Sequence, residues 1–506
     1  MTDTRSTTSP LWLLIGLQAA ISAGGLVVEI VAGRMIAPYV GMSLYTWTAI
    51  IAVVLTGFSV GHWWGGRLAA RDSAQALQTT GWIMAMAALV TALASLVLRW
   101  VATPVLLSVS DPLLAIWVLT TLAFFLPSLF AGVPSPVLAV VAMRGSAQSE
   151  RVLGAMFAAG AVGAILGTLL AGFVFISWVG SVGTLLIMAL VYAVSAALCF
   201  FLSGLAGKAR WAAAAALVLP IAAGGWALSG PRVCDTESSY YCIRTIALAD
   251  APHPVNLMVL DHLAHGISAE ATPRIMHTDH TAMLDALPRM RMGRDDFSSF
   301  HIGGGSYSVP RAWADRGASD IVVSEVDPDV TAAAVRDFWF DPTSAAVLHR
   351  DARAVLREST RAFDVIVGDA FTDIAVPAHL VTVEFFALVA ARLEPGGLFA
   401  MNAIDHVDRM EALAALVVTL QEVFPHVEVW TEAIPPQPGE RRVFVLLAGD
   451  AQSPVSQIET RTPDPKRFAV LDPAYIAQVV SRLNARPLTD DFAPIDRLVG
   501  LSTLLE

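Results

Sequence analysis

The chain has 506 residues, 55% of them hydrophobic and 15% charged, with 32 Lys+Arg against 43 Asp+Glu and a formal net charge of −11. That length leaves room for two or three domains, and the acidic balance argues against a nucleic-acid partner while permitting a cationic substrate. The charge is unevenly placed: residues 1–230 hold nine Lys/Arg and five Asp/Glu (+4), leaving 23 and 38 (−15) for residues 231–506, which together restore −11.

Apolar runs of the roughly 20 residues needed to cross a bilayer recur at 11–35, 43–66, 79–101, 112–141, 152–177, 181–204 and 211–228. They predict a multi-pass α-helical membrane domain of about seven helices over 1–230, embedded in the lipid bilayer of the cell (inner) membrane. The first run is long and others follow it at regular spacing, unlike a cleaved signal peptide. Cationic residues follow every second run: Arg67 and Arg71, Arg144 and Arg151, Lys208 and Arg210. Such loops stay in the cytoplasm, which places the N-terminus there. The seventh run is Ala-rich and interrupted by Pro220. If it spans, the rest of the chain lies outside; if it rests in the interface, the rest stays inside. Cys234 and Cys242, eight residues apart just beyond it, could close a disulfide, which persists only in an oxidising compartment. Two reduced thiols are the other reading.

Glu29 lies in the first run. A membrane carboxylate is costly and signals function by default, with a structural clasp to another helix, His62 for instance, as the plainer expectation. Gly57, Gly61 and Gly65, and again Gly163 and Gly167, form small-residue ridges that let helix backbones approach closely.

Beyond residue 230 the pattern changes. SSYYCIRTIAL and VNLMVLDH are β-rich runs separated by a Pro-containing turn, predicting a small β-strand domain over 231–290. From 291 to 506, strands (FHIGGG, DIVVSEVD, AAVLHRD, FDVIVGDAF, GGLFAMN, HVEVWTEA, RRVFVLLAG) alternate with helical stretches. This predicts an α/β Rossmann-like, methyltransferase-type domain with a doubly wound, mostly parallel sheet. Ligands of such sheets bind at the carboxyl ends of strands. Gly303, Gly304, Gly305, Glu325, Asp351 and Asp369 all fall there. The glycines let a backbone approach a ligand. Glu325, about 20 residues on, is placed to hold ribose hydroxyls, and Asp351 to accept from an adenine amino group. Asp329 reads as a helix-end or turn residue.

At this point the chain resembles a known family. YYCIR (240–244), MVLDH (258–262), HIGGGSYSVPR (301–311), VVSEVDPDV (322–330), RDARAVL (350–356), VGDAFTD (367–373), VPAHLVTVEFF (376–386) and LTDDFAPID (488–496) resemble spermidine synthase and its aminopropyltransferase relatives, in the membrane-fused form found in bacteria. The resemblance implies decarboxylated S-adenosylmethionine as cofactor and a small-molecule amine as acceptor, and leaves room for a homodimer. It makes Glu325 the ribose ligand, Asp351 the adenine-side acid and Asp369 the catalytic carboxylate. Asp261, His280 and Asp373 fall on the acceptor side. The family's chemistry needs such a carboxylate, because only a neutral amine attacks the carbon beside a sulfonium. The sequence departs from the soluble members at three places, one of them the acceptor side, where Ala264 or His265 and His280 stand near the family's usual Gln and Tyr. Ser306 and Tyr307 stand where those have an acid after the glycines, and Thr372 stands where they have a second Asp, with Asp373 one residue later. Full S-adenosylmethionine, and hence methyl transfer, is therefore the alternative. A transporter or sensor with a ligand-binding Rossmann domain is a third reading. His277, Asp279 and His280 in IMHTDHTAM are expected to form a substrate-facing loop and not a metal site.

Overall fold

The computed structural model describes residues 10–250, 252–370 and 377–500. Two compact units, Met1–Val233 and Cys234–Glu506, divide the chain.

The first unit is helical: α1 (Leu11–Val40), α2 (Leu44–Leu68), α3 (Ser73–Ser108), α4 (Pro112–Gly132), α5 (Pro134–Arg144), α6 (Ser149–Leu170), α7 (Ile176–Leu202) and α8 (Lys208–Ser229). Counting α4–α5 and α6–α7 as continuous, six helices among the described residues are long and apolar enough to cross a membrane. The seven apolar runs meet six helices because runs five and six share the 54-residue stretch Ser149–Leu202. At about 1.5 Å per residue, a straight helix of that length would be more than twice as long as the hydrocarbon core is thick. It is not straight. Gly180 adopts φ 73°, ψ 172°, a region essentially reserved for glycine, and the chain reverses there. The neighbours show the reversal. Cβ atoms at Gly163 and Gly167 would strike the carbonyls of Ala19 and Ala23, so α6 runs parallel to α1. Phe200 of α7 packs on Gly81 near the start of α3, while Leu186 packs on Gly224 of α8. Arg99, further along α3, donates to the carbonyl of Ala227 in α8 at 2.8 Å. Hence α7 is antiparallel to α3, and α8 is parallel to it.

The glycine ridges work as expected. Gly57, Gly61 and Gly65 seat α2 on Ser128, Leu129 and Val133, leaving no room for a side chain. Arg144 donates to the carbonyls of Ala69 (2.8 Å) and Arg71 (2.6 Å), which brings the cationic loops after α2 and α5 to one end. The expected Glu29–His62 clasp does not form. Gly25 of α1 faces Phe58 of the antiparallel α2, so Glu29 lies one turn beyond that crossing and His62 one turn the other way, roughly 10 Å apart along the axis. The His62 ring stacks on Phe58 instead, at 6.4 Å.

The second unit begins with an antiparallel sheet in the order β1-β2-β3-β4: β1 (Thr236–Glu237), β2 (Cys242–Ala249), β3 (Val255–Leu260) and β4 (Leu263–Ala269). A Cys234–Cys242 disulfide closes its first turn. Then follow α9 (Asp279–Met292), β5 (Ser299–Ile302), α10 (Ser308–Asp315), β6 (Ile321–Ser324), α11 (Pro328–Asp337), β7 (Ala346–Leu348), α12 (Ala352–Glu358), β8 (Phe363–Gly368), α13 (Val383–Ala390), β9 (Leu393–His406), α14 (Glu411–Gln421), β10 (His426–Glu432), β11 (Arg441–Gly449), β12 (Gln457–Thr460), β13 (Lys466–Val470), α15 (Pro473–Leu483) and α16 (Ile495–Gly500).

The large sheet runs β12-β13-β10-β11-β9-β8-β5-β6-β7. Strands β9-β8-β5-β6-β7 are mutually parallel, and the remaining neighbours are antiparallel. The sheet is thus parallel over one half only. Its edge gains QIET and KRFAV, two short strands that do not stand out from their flanks in the sequence. The parallel strands are apolar on both faces, as helices on both sides require. In β8, Ile366 enters one core layer while Val365 and Val367 enter the other. The strand order reverses between β5 and β8, the place where doubly wound sheets bind ligands.

Candidate active site

The carboxyl ends of β5, β6 and β8 converge at this switch point. After β5, Gly303 takes φ 87°, and a Cβ there would lie 2.8 Å from the carbonyl oxygen of Asp369. The glycine therefore lets the turn after β5 lie against the end of β8. The amide of Asp369 donates to the carbonyl of Ile302 at 3.0 Å and fixes this approach.

Glu325, just past β6, is 6% exposed. Its carboxylate accepts from the amides of Gly304 (2.8 Å) and Asp327 (2.9 Å). Burial raises its pKa; the two amides oppose this and the nearby Asp327 adds to it. Asp327 caps α11 by accepting from the Asp329 amide at 3.0 Å, and it also accepts from the Ser238 hydroxyl. Asp329 itself sits in the first turn of α11.

Asp351 has two duties. One oxygen caps α12, accepting from the Ala354 amide at 2.8 Å, and the other lies 2.9 Å from His379 Nε2. Burial pushes its carboxyl up, but the His379 and Ala354 hydrogen bonds outweigh that and hold it below the usual carboxylate range. Between this acid and β8 lies an apolar slot lined by Ile302, Gly368, Ala370, Leu380, Phe385 and Met401.

Asp369 faces a second, polar pocket with His265, Thr281, His301, Ser306 and Ser308. Asn402 of β9 donates to Asp369 Oδ1 at 3.2 Å and orients it. Burial, with His280 and His262 close by, pushes His265 down to about 4. Burial alone drives His301 down to about 3. Both imidazoles are therefore neutral at pH 7. Ser306 and Ser308 hydroxyls lie 2.7 Å apart, and Ser308 lies 2.9 Å from Ser268. The pocket walls are held by Asp285 of α9, which accepts from Trp313 Nε1 (2.9 Å) and Arg316 (2.6 Å) on and after α10.

The other expected site residues are placed differently. Asp261, at φ 54°, turns the β3–β4 hairpin, and its carboxylate accepts from the Cys242 amide at 2.9 Å. His280 stands beside His265. Asp373 lies outside the described residues. Asp279 pairs with Lys466 at 2.7 Å, and among the described residues no cluster of three His, Cys, Asp or Glu is arranged to hold a metal ion. Asn402, His301, Thr281 and Ser308 were not foreseen. A lone Asn and a lone His inside otherwise apolar strands were the available signals.

The parallel-strand order β7-β6-β5-β8-β9, followed by β11 inserted antiparallel beside β9 with β10 next to it, defines a methyltransferase-type Rossmann-like domain. Within this class, residues 329–456 match the family model of the spermine/spermidine synthase domain. The chain is 29% identical over 208 residues to a polyamine aminopropyltransferase of Vibrio vulnificus, covering 39% of this chain and 68% of that protein. It is 30% identical over 203 residues to an N-terminal histidine N-methyltransferase of Emericella nidulans, covering 38% of this chain and 34% of that one. Among solved structures, a probable spermidine synthase from Corynebacterium glutamicum aligns with a TM-score of 0.42 and 22% identity, covering 52% of this chain and 95% of that one.

Proposed function

We propose that the C-terminal unit is an aminopropyltransferase that moves an aminopropyl group from decarboxylated S-adenosylmethionine to a small-molecule amine, tethered to a membrane by α1–α8. The observation that carries this reading is Asp369: an oriented carboxylate at the switch point, with the apolar slot on one side and the polar pocket on the other. The residues fit the donor. The slot would take adenine, Asp351 its amino group, and Glu325 the ribose hydroxyls, with the glycine turn against the sulfur-bearing chain. When bound, the donor supplies a carbon activated by its sulfonium. The protein's part is to hold the amine in line and to accept its proton at Asp369. His280 and Asp261, with Asp373, stay assigned to the acceptor side. If purified full-length protein with Asp369→Asn keeps donor affinity but loses turnover, the reading holds. Unchanged turnover would refute it, and a ligand-sensing or transport role would then be preferred.

Methyl transfer from full S-adenosylmethionine is the second reading. Ser306 in place of an acid favours it, as does the likeness to a histidine N-methyltransferase.

The unit's placement outside the cytoplasm belongs to the same proposal. Reversal at Gly180 makes α8 leave the membrane opposite the end where Arg67, Arg71 and Arg144 gather, and cationic loops mark the cytoplasmic face. The Cys234–Cys242 disulfide, a few residues beyond α8, agrees with an oxidising compartment.

A further inference from the structure

We propose that Asp490, in the segment LTDDFAPID (488–496), is a positioning residue for the donor's nucleoside, acting through Arg353 and His379 on the carboxylate of Asp351. This rests on the reading that the apolar slot takes adenine and that Asp351 accepts from its amino group.

One side of the slot needs support from outside itself. Pro377, Leu380, Val381 and Phe385 line that side, and they belong to the short turn Ala378–Leu380 and the start of α13. None of the three turn residues is fully buried, so packing does little to fix the turn. Hydrogen bonds hold it instead, and they lead to a segment 108 residues beyond Thr382.

Leu488 anchors that segment. Its side chain is buried in the same core layer as Phe385 of α13, Leu416 of α14 and Ile495 of α16. Its amide donates to Thr419 Oγ1 at 2.9 Å. Its carbonyl accepts from the amide of Val383 at 2.9 Å, one of the amides a helix start leaves without an internal partner. Two residues on, the Asp490 carboxylate accepts from both terminal nitrogens of Arg353, at 2.7 and 2.6 Å. Such a fork-to-fork pair fixes direction as well as distance. Asp490 Oδ1 also accepts from the Thr382 hydroxyl at 2.8 Å, while Thr382 caps α13 by accepting from the Phe385 amide at 3.2 Å.

From Arg353 the contacts run to the site. Arg353 Nη1 donates to the carbonyl of His379 at 2.9 Å, which fixes the backbone of the turn. The His379 ring then lies 2.9 Å from Asp351 Oδ2, the oxygen that the α12 cap leaves free. Asp490 thus reaches the acid assigned to adenine in three links. The Arg353 and Asp490 side chains are 20% and 44% exposed, and ion pairs open to water add little to global stability. Breaking this one should therefore be felt at the site and not in the fold.

Calorimetry on the purified full-length protein tests the proposal, with 5′-methylthioadenosine and its analogue in which hydrogen replaces adenine's amino group. In Asp490→Asn the new side chain keeps an acceptor for Thr382 and Leu488 is untouched, so the slot's wall stays while the grip on Arg353 goes. We expect this variant to weaken 5′-methylthioadenosine about tenfold or more, the scale of one hydrogen bond to a charged acceptor. The analogue should lose less than about threefold, and the melting midpoint should not move. Arg353→Met breaks the same link from the other side. It should give the same selective loss, and the double variant should lose no more than either alone. Equal loss of both ligands overturns the inference, because Asp490 would then support only the wall. An unchanged affinity in Asp490→Asn, with 5′-methylthioadenosine weakened by Asp351→Asn, also overturns it and leaves the adenine reading standing. If Asp351→Asn binds both ligands as the unmodified protein does, the adenine reading itself has failed, and this inference falls with it.

Discussion

Glu325→Gln is the sharpest probe of the nucleoside site. In the free protein the carboxylate accepts from the Gly304 and Asp327 amides at 2.8 and 2.9 Å, which leaves lone pairs on both oxygens for two ribose hydroxyls. Hydrogen bonds to a charged acceptor contribute about 1.5–3 kcal/mol each, against about 1 kcal/mol for neutral pairs. Gln keeps one acceptor oxygen and turns an NH2 toward one of those amides, so one bond weakens and another is lost. The summed loss is about 2–4 kcal/mol, or roughly 30- to 1000-fold in affinity at about 1.4 kcal/mol per tenfold. The ligand of choice is 5′-methylthioadenosine, which has the ribose and adenine but no amino-acid chain, and the assay is titration calorimetry on the full-length protein. The pH dependence is a second readout. Burial raises Glu325 in the free state, and the hydroxyls bind its ionised form. Affinity should therefore climb as pH rises through that raised value and level off above it, and the Gln variant should lose the slope. A loss below threefold, or an unchanged pH profile, would show that Glu325 does not hold the ribose.

Other consequences can be checked separately. Asp369→Asn should lower turnover by about 10²- to 10⁴-fold, the usual span for a general base, while leaving 5′-methylthioadenosine affinity within threefold; steady-state kinetics and calorimetry read both. Asp405 is pushed by burial from 3.8 to about 6. A carboxyl raised on folding lends stability below its unfolded value and loses it as pH rises through the folded one. Stability of the C-terminal unit should thus fall by about 3 kcal/mol between those values, and Asp405→Asn should flatten that trend in hydrogen exchange of β9. Gly163→Leu should drive α6 off the Ala19 carbonyl and lower the melting midpoint in detergent, since overpacking costs about 1–3 kcal/mol. Gln452→Cys, on the exposed surface of the C-terminal unit, should be labelled by a membrane-impermeant maleimide in spheroplasts. Protection there until the membrane is broken would place the unit in the cytoplasm.

Much of the site was legible because it lies where strands end. Gly303 to Gly305, Glu325 and Asp369 follow short apolar strands whose period and length set their positions, and the structure brings them to one switch point. The long apolar helices were legible from apolar length, and the separate runs at 152–177 and 181–204 match the two helices, α6 and α7, that the reversal at Gly180 divides. A single glycine, Gly180, turns a 54-residue stretch into two antiparallel helices, and nothing in the hydropathy of FISWVGSVG separates a bend from a reversal. Pairings between distant elements were the least legible. The expected Glu29–His62 contact fails because the α1–α2 crossing falls at Gly25 and Phe58, a register that depends on where small residues admit a ring. Asp261 shows the same limit in the C-terminal unit. The motif marks it for the acceptor side, and only the fold shows that its carboxylate also accepts from the Cys242 amide in the hairpin. His301 and Asn402 gain meaning only once β5, β8 and β9 are side by side.

The central claim is that this site breaks the bond between sulfur and the donor's amino-bearing chain. Incubating the purified full-length protein with decarboxylated S-adenosylmethionine, or with S-adenosylmethionine itself, and putrescine, and identifying the nucleoside released by mass spectrometry, tests it most directly. The account predicts 5′-methylthioadenosine, abolished by Asp369→Asn. Release of S-adenosylhomocysteine, or of no nucleoside from either donor, would contradict it.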